Sequence, residues 1–277
     1  MFFITGENIQ ITCDHFIGTK KDFNFNCNII KYNNKFIYLG HNENIDNKLL
    51  VFCYTHILDQ VDILINTLEN MKNPFILIFH NSDYNFNSSK LVLFQKLPLL
   101  KHIFTQNMDI IHPKVSPIPI GLANSQWVHG NPKIHKEVYN MKIDKTKTIY
   151  FYFSIPRWHK ERERCMNIIK KKGVPWINNL PYCEYLIELK KHKYCICPEG
   201  AGIDTHRFWE CLYLNTIPIC KKNILVEYYS KIFPIVLLDD WNDLDIANLD
   251  KNYSNININY EYLTMNYIQT LFKIKNI

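Results

Sequence analysis

The stretch from Tyr194 to Ile219, YCICPEGAGIDTHRFWECLYLNTIPI, gathers the residue types that can hold a phosphorylated ligand. A strand ending at Cys197 runs into a loop with Glu199, Gly200 and Gly202, where missing Cβ atoms allow close backbone approach. A helix starts near Asp204 or Thr205, either of which suits an N-cap. The amides at such a helix start form an anion site. Arg207 falls in the first turn, where its guanidinium joins those amides on a diphosphate. Glu210 comes three residues later on the same face and can accept hydrogen bonds from ribose hydroxyls. The competing account is a surface i,i+3 ion pair on an ordinary helix. Phe208, Cys211 and Leu212 form the separate stripe that packs on a sheet.

Arginine use elsewhere points the same way. The 277-residue chain carries 32 basic and 26 acidic residues, a net charge of +6, yet only four of the basic residues are Arg: Arg157, Arg162, Arg164 and Arg207. Three of these fall within eight residues, at the start of a predicted helix. There one of them can reach a diphosphate, or all can be solvated beside Glu161 and Glu163. The Lys are scattered, so the charge argues weakly for nucleic acid. Nine Cys, an odd number without C-x-x-C, read as reduced, buried thiols of a cytosolic protein. A Cys195–Cys197 metal pair lacks a second Cys/His pair at zinc-site spacing. No apolar run approaches the roughly 20 residues that span a bilayer, and the N-terminus lacks the pattern of a secretory signal. The expectation is a protein without a membrane span.

The elements that must position these residues alternate. Strand-like runs are expected at Phe2–Thr5, Lys35–Leu39, Leu49–Tyr54 and Phe75–Phe79, the last a continuous apolar run that suits burial on both faces. Ile57–Met71 has helical spacing, stopped by Asn73-Pro74. Val115–Ile120 carries Pro117 and Pro119, which fits an edge strand or an extended loop. The Lys-rich segment from Asn131 to Thr148 lacks strong periodicity, so the boundary is placed there, giving units at 1–145 and 146–277. A second series follows. It has a strand at Thr148–Phe153, a helix at Glu161–Lys172 closed by Gly173, and a helix at Glu184–Lys191. Strands at Tyr194–Cys197, Ile217–Cys220 and Ile235–Leu238 and a terminal helix within Tyr260–Ile274 complete it. Strand, loop and helix alternate in both halves, so the fold class is α/β with two largely parallel sheets.

The 194–219 stretch resembles the C-terminal signature of exostosin-like glycosyltransferases: a strand, Pro-x-Gly, a polar loop, Arg-Phe-x-Glu, then a strand with Ile-Pro-Ile. Asn215 stands where that family usually has a small residue. Upstream, Phe2-Ile-Thr-Gly-Glu-Asn8 and Cys13-Asp-His-Phe-Ile-Gly18 resemble the start of fucosyltransferase-like acceptor domains. The sharp match covers about a tenth of the chain. The resemblance implies a GT-B architecture, in which two Rossmann-like domains face a cleft. It implies transfer of a sugar from a nucleoside-diphosphate sugar, UDP-sugar ahead of GDP-sugar, to a carbohydrate hydroxyl, with inversion and no essential metal cofactor. On this view Gly200, Gly202, Glu199, Thr205, Arg207, Glu210, Arg157 and Arg162 bind the donor.

An inverting transfer needs a base for the acceptor hydroxyl. Asp83, in His80-Asn81-Ser82-Asp83 after the buried strand, is the first choice and His80 the second. Turn chemistry alone accounts for Asn-Ser-Asp equally. Asn124, Trp127 and His129, in the segment 118–130, belong to the acceptor or cleft side, Trp127 stacking on a sugar ring; a structured hinge with a half-buried Trp is the plainer account. Asp239, Asp240, Asp243 and Asp245 invite an Asp-x-Asp reading with Mn or Mg, or are an acidic turn before a helix. Exostosin-like enzymes of animals are membrane-anchored. The Cys usage and Lys/Asn/Ile bias here fit a cytoplasmic relative from an AT-rich microbe or a large virus, acting in the host cytoplasm in the viral case. Two other classes stay open: a metal-dependent transferase using the acidic cluster, and a glycan- or nucleic-acid-binding protein without catalysis.

Overall fold

The computed structural model describes residues 3–25, 36–38, 50–252 and 257–275; Phe2, Lys35, Leu39 and Leu49, named above, and Cys27, one of the nine Cys, lie outside these. Two parallel sheets form the frame. The first contains β1 (His15–Gly18), β2 (Phe36–Tyr38), β3 (Leu50–Tyr54), β4 (Phe75–His80), β5 (Leu100–Thr105) and β6 (Val115–Pro117), in the order β2-β1-β3-β4-β5-β6. The second contains β7 (Lys147–Tyr150), β8 (His192–Ile196), β9 (Ile217–Lys221) and β10 (Val236–Leu238), in sequential order. Every recorded strand pair is parallel, from Phe16 opposite Phe52 in the first sheet to Tyr194 opposite Ile217 in the second. The layout is that of two Rossmann-like α/β units.

Residue chemistry explains the placement of these strands. β4, FILIFH, is buried at every position, as a central strand of a parallel sheet must be. β6 ends at Pro117 on the sheet edge, where a missing N–H costs no ladder bond. Along β8 the side chains alternate between two cores. Tyr194 and Ile196 join a cluster with Phe151 and Trp241, while Cys195 and, just past the strand, Cys197 face the larger core. That larger core runs without a break from Ile4 through β3 and β4 to Trp209 and Phe272.

The helices are α1 (Gly6–Ile11), α2 (Lys20–Phe25), α3 (Val61–Leu68), α4 (Ser88–Phe94), α5 (Pro132–Asn140), α6 (Lys160–Lys171), α7 (Tyr182–Lys190), α8 (His206–Tyr213), α9 (Ile224–Tyr229), α10 (Ile246–Asn252) and α11 (Met265–Ile274). Three depart from the expectations. Thr5 does not end a strand: it makes one isolated bridge to Leu122, and its hydroxyl caps α1 by accepting from the Asn8 amide. The helix expected from Ile57 to Met71 begins as a 3₁₀ turn, Thr55–Gln60, and becomes α-helical only at Val61. The Lys-rich segment after Asn131 contains α5, opened by an Asn131 cap and Pro132. Its buried stripe includes His135, which masks the apolar period.

Contacts of Tyr213 and α11 help tie the units together. Tyr213 at the end of α8 donates its hydroxyl to the Leu263 carbonyl and accepts the Ile4 amide at 2.9 Å each. α11, expected with the second unit, crosses back to the first, where Phe272 lies edge-on to Phe104 of β5 at 5.0 Å. No described helix is long and apolar enough to cross a membrane.

Candidate functional site

Two cavities open beyond the carboxyl ends of the two sets of strands, where open α/β sheets bind ligands. One, of about 850 Å³, lies against the first sheet, beside the point between β1 and β3 where strand order reverses. The other, of about 700 Å³, lies against the second sheet. Asp83, Ile120, His129 and His206 line both, so the cavities meet at these four residues.

The 700 Å³ cavity gathers most of the predicted ligand-binding residues. Gly200, Gly202, Thr205, Arg162, Arg207 and Glu210 all line it. The helix start differs in one respect from the expectation. Thr205 is the N-cap but makes no side-chain cap bond. Asp204 is turned inward instead, with one carboxylate oxygen accepting the Ile120 amide at 2.7 Å and the other the Trp209 indole N–H at 2.8 Å. Burial pushes the Asp204 carboxyl up to about 7, against the pull of these donors. The Phe208 amide donates to the Thr205 carbonyl at 3.1 Å, and with no side-chain cap in the way the His206 and Arg207 amides are left for a ligand.

Arg207 donates to the Tyr152 carbonyl at 2.6 Å and lies over the Tyr185 ring at 5.6 Å. Its Nε is buried without a hydrogen-bond partner. Arg162 donates from Nε to the Glu199 carbonyl at 2.7 Å and from Nη1 to the Ser154 carbonyl at 2.9 Å, pinning the glycine loop to the loop after β7. Burial, and then the charge of Arg207, lower Arg162 to about 10. Two guanidinium groups that oppose each other's charge in a half-buried cavity favour a polyanion between them. His159 completes the pin by donating Nε2–H to the Gly200 carbonyl at 2.8 Å.

Glu210 is only 4% exposed, and its two oxygens accept the hydroxyls of Tyr182 (3.1 Å) and Tyr185 (2.7 Å). Burial raises its carboxyl above the usual range. A ligand in this cavity would meet Glu210 as part of a Glu–Tyr–Tyr set. Gly200 would place a Cβ 3.2 Å from an Arg162 terminal nitrogen. A Cβ on Gly202 would fall 2.5 Å from the Asn107 side chain, so this glycine admits Asn107 and not only a ligand.

Glu199 and Arg157 stand apart from the set. The Glu199 carboxylate accepts from Asn223 and lines a separate cavity of about 150 Å³ behind the loop. Arg157 is exposed on the turn before α6 and lines neither large cavity. Arg164 pairs with Asp240 at 2.6 Å.

The 850 Å³ cavity holds Asp83, His80, Asn124, Trp127 and His129. Asp83 has no recorded hydrogen bond among the described residues, and partial burial raises its carboxyl above the ordinary value. His80 is buried with both ring nitrogens engaged, one at 2.9 Å from the Pro119 carbonyl and one at 2.9 Å from Asn81, which leaves it no nitrogen for a substrate. Asn124 is also buried, accepting the Glu7 amide and donating to Asn81. Trp127 is 48% exposed and stacks on His129 at 6.2 Å, a flat apolar surface beside amides.

Sequence reasoning missed His206, the Tyr150, Tyr152, Tyr182 and Tyr185 walls, and a His56–Asp22 pair at 2.7 Å. The i,i+3 spacing of Tyr182 and Tyr185 on α7 was a usable signal; nothing in the sequence joins Asp22 to His56 across 34 positions.

The acidic segment is a turn. Asp240 and Asp243 form a reciprocal cap, Asp239 pairs with Lys222 at 2.7 Å, and Asp245 accepts the Ala247 amide. None of the four lines either large cavity. The metal-type side chains that do converge among the described residues are Cys195, Cys197 and Cys211, within 4.8 Å of one another in the core. The third sulfur comes from α8, which spacing along β8 does not disclose. Burial pushes the Cys195 and Cys211 thiols far up, so both stay protonated at neutral pH. Compared with models of known protein families and with curated protein sequences, the chain matches none.

Proposed function

We propose that this chain is a glycosyltransferase of the exostosin-like, GT-B type, which moves a sugar from a nucleoside-diphosphate sugar to a carbohydrate hydroxyl. The observation that carries the reading is the meeting of two cavities, one with two arginines at a helix start and one with an exposed Trp among amides, at a free carboxylate. In this reading the diphosphate lies at the α8 amides, with Arg207 and Arg162 on either side. The nucleoside lies among Tyr150, Tyr182 and Tyr185, with Glu210 and its phenols toward the ribose. The acceptor sugar stacks on Trp127.

The acceptor oxygen attacks the anomeric carbon while the bond from that carbon to the diphosphate oxygen breaks. The electron pair leaves on the diphosphate, and the hydroxyl proton passes to Asp83. Fixed donors beside the departing oxygens stabilise the charge that develops there. A single displacement of this kind inverts the anomeric centre. Arg207 and Arg162 supply the countercharge, so nucleotide binding in this reading needs no divalent ion. The test is calorimetric titration with UDP, GDP, ADP and CMP, in EDTA and in Mn, on wild type and Arg207→Ala. Tight binding of UDP in EDTA is expected. Loss of a charged hydrogen-bond donor is worth about 1.5–3 kcal/mol, so the variant should bind on the order of 10- to 100-fold more weakly. Binding that requires Mn overturns the metal-independent site, and no nucleotide binding under either condition overturns the proposal.

A further inference from the structure

His206, the first residue of α8, lines both cavities and has no part in the steps above. Its Nδ1 stands 2.8 Å from the Gly121 carbonyl oxygen. A carbonyl only accepts, so Nδ1 carries the proton, and in the neutral ring Nε2 is a bare acceptor. Nε2 has no hydrogen-bond partner among the described residues and is not among the buried orphan atoms. It is therefore open to the cavities.

The carbonyl that fixes this tautomer is itself held. Gly121 has φ +67°, and a Cβ there would come within 2.2 Å of the Ile4 carbonyl oxygen, so the turn is built for glycine. Burial, partly opposed by the Gly121 bond and reinforced by His129 and His80, lowers His206 to about 4. The ring is neutral at pH 7. It precedes Arg207 in the first turn of α8 and, like Asp83, lines both cavities where they meet.

We infer that His206 is a specificity-determining residue: its Nε2 accepts a hydrogen bond from a hydroxyl of the sugar being transferred. The inference rests on the transferase reading, because the sugar must bridge the diphosphate at Arg207 and the acceptor hydroxyl at Asp83. An acceptor without charge suits that place, since a cation would compete with Arg207 for the diphosphate. A donor lacking the hydroxyl leaves Nε2 unpaired, and sites built to bind a hydroxyl reject analogues without it.

Two variants separate the ring's two nitrogens. His206→Asn keeps an amide N–H where Nδ1 bonds Gly121 and deletes the Nε2 acceptor. His206→Gln places an amide oxygen near Nε2. Dissociation constants are compared for UDP against UDP-glucose and UDP-N-acetylglucosamine, and for GDP against GDP-mannose. The sugar is expected to tighten binding for one pair in wild type. His206→Asn should lose about three- to tenfold of that gain while free nucleotide binds within about twofold of wild type; His206→Gln should recover part of it. An unchanged gain in His206→Asn overturns the proposal, as does equal weakening of nucleotide and nucleotide sugar, or a wild type to which no sugar adds affinity. Nitrogen-15 NMR of the histidine rings gives a ligand-free check, because an Nε2–H tautomer or an imidazolium at pH 7 also overturns it. If wild type binds no nucleotide at all, the transferase reading falls first and this assignment with it.

Discussion

In the transferase reading proposed above, the chemistry at the scale of single residues turns on Asp83, the carboxylate that lines both cavities where they join. Asp83→Asn should cut transfer by about 10²- to 10⁴-fold, the usual worth of a general base, with nucleotide affinity unchanged by calorimetry. The base works ionised, so the rate falls as pH drops through its pKa. Partial burial raises that pKa, which moves the acidic limb of kcat/KM above the ordinary carboxylate value of 3.8. Stability carries the opposite sign. A carboxyl whose folded pKa exceeds its unfolded one favours folding fully below the unfolded value and loses that advantage as pH rises through the folded value. Asp83→Asn should therefore raise the thermal midpoint at pH 7 and leave it unchanged at pH 3, measured by scanning calorimetry. A lowered midpoint at pH 7 would mean that the carboxylate is paired in the fold.

The elements show which parts of the site could be read ahead of the structure. The strand, loop and helix around Gly200 were legible because local rules, an apolar strand, glycines and a polar helix start, all agree there. The partners of that loop were not. Gly202 faces Asn107, which lies 95 positions away and at φ +51° accepts the Asp204 amide and donates to the Ser82 carbonyl. Asp204 looked like a cap because caps and inward anchors share residue types, and only the tertiary position of Ile120 separates the two roles. α5 was hidden because a buried His stands in its apolar stripe. The two glycines should then respond differently to alanine. Gly202→Ala drives its Cβ into Asn107 and should cost about 1–3 kcal/mol, as overpacking does, seen as a lower urea midpoint. Gly200→Ala meets the movable end of Arg162 at 3.2 Å, so its main effect should be weaker nucleotide binding at near-normal stability. Equal urea midpoints for the two would show that the Asn107 contact does not constrain the loop.

At the scale of the whole molecule, the larger of the two cores spans both units, and α11 of the second packs on β5 of the first through Phe272 and Phe104. A continuous core predicts a single cooperative unfolding transition despite two sheets. Phe272→Ala should cost about 3–5 kcal/mol. Four of the five Trp, Trp158, Trp176, Trp209 and Trp241, lie in the second unit, so fluorescence reports mainly on that unit when the lesion is against the first. One transition, shifted as a whole in the variant, is expected. The same coupling has a consequence for the ligand: nucleotide held at Arg207, in the second unit, should stabilise the first as well. At a hundred times its Kd a ligand adds about 2.7 kcal/mol to the state that binds it, and that increment should appear in amide exchange at β3 and β4 as well as at β8. If protection rises at β8 while β3 and β4 exchange as before, the units open independently, and the junction at Asp83 and His206 must be assembled by closure on the substrate.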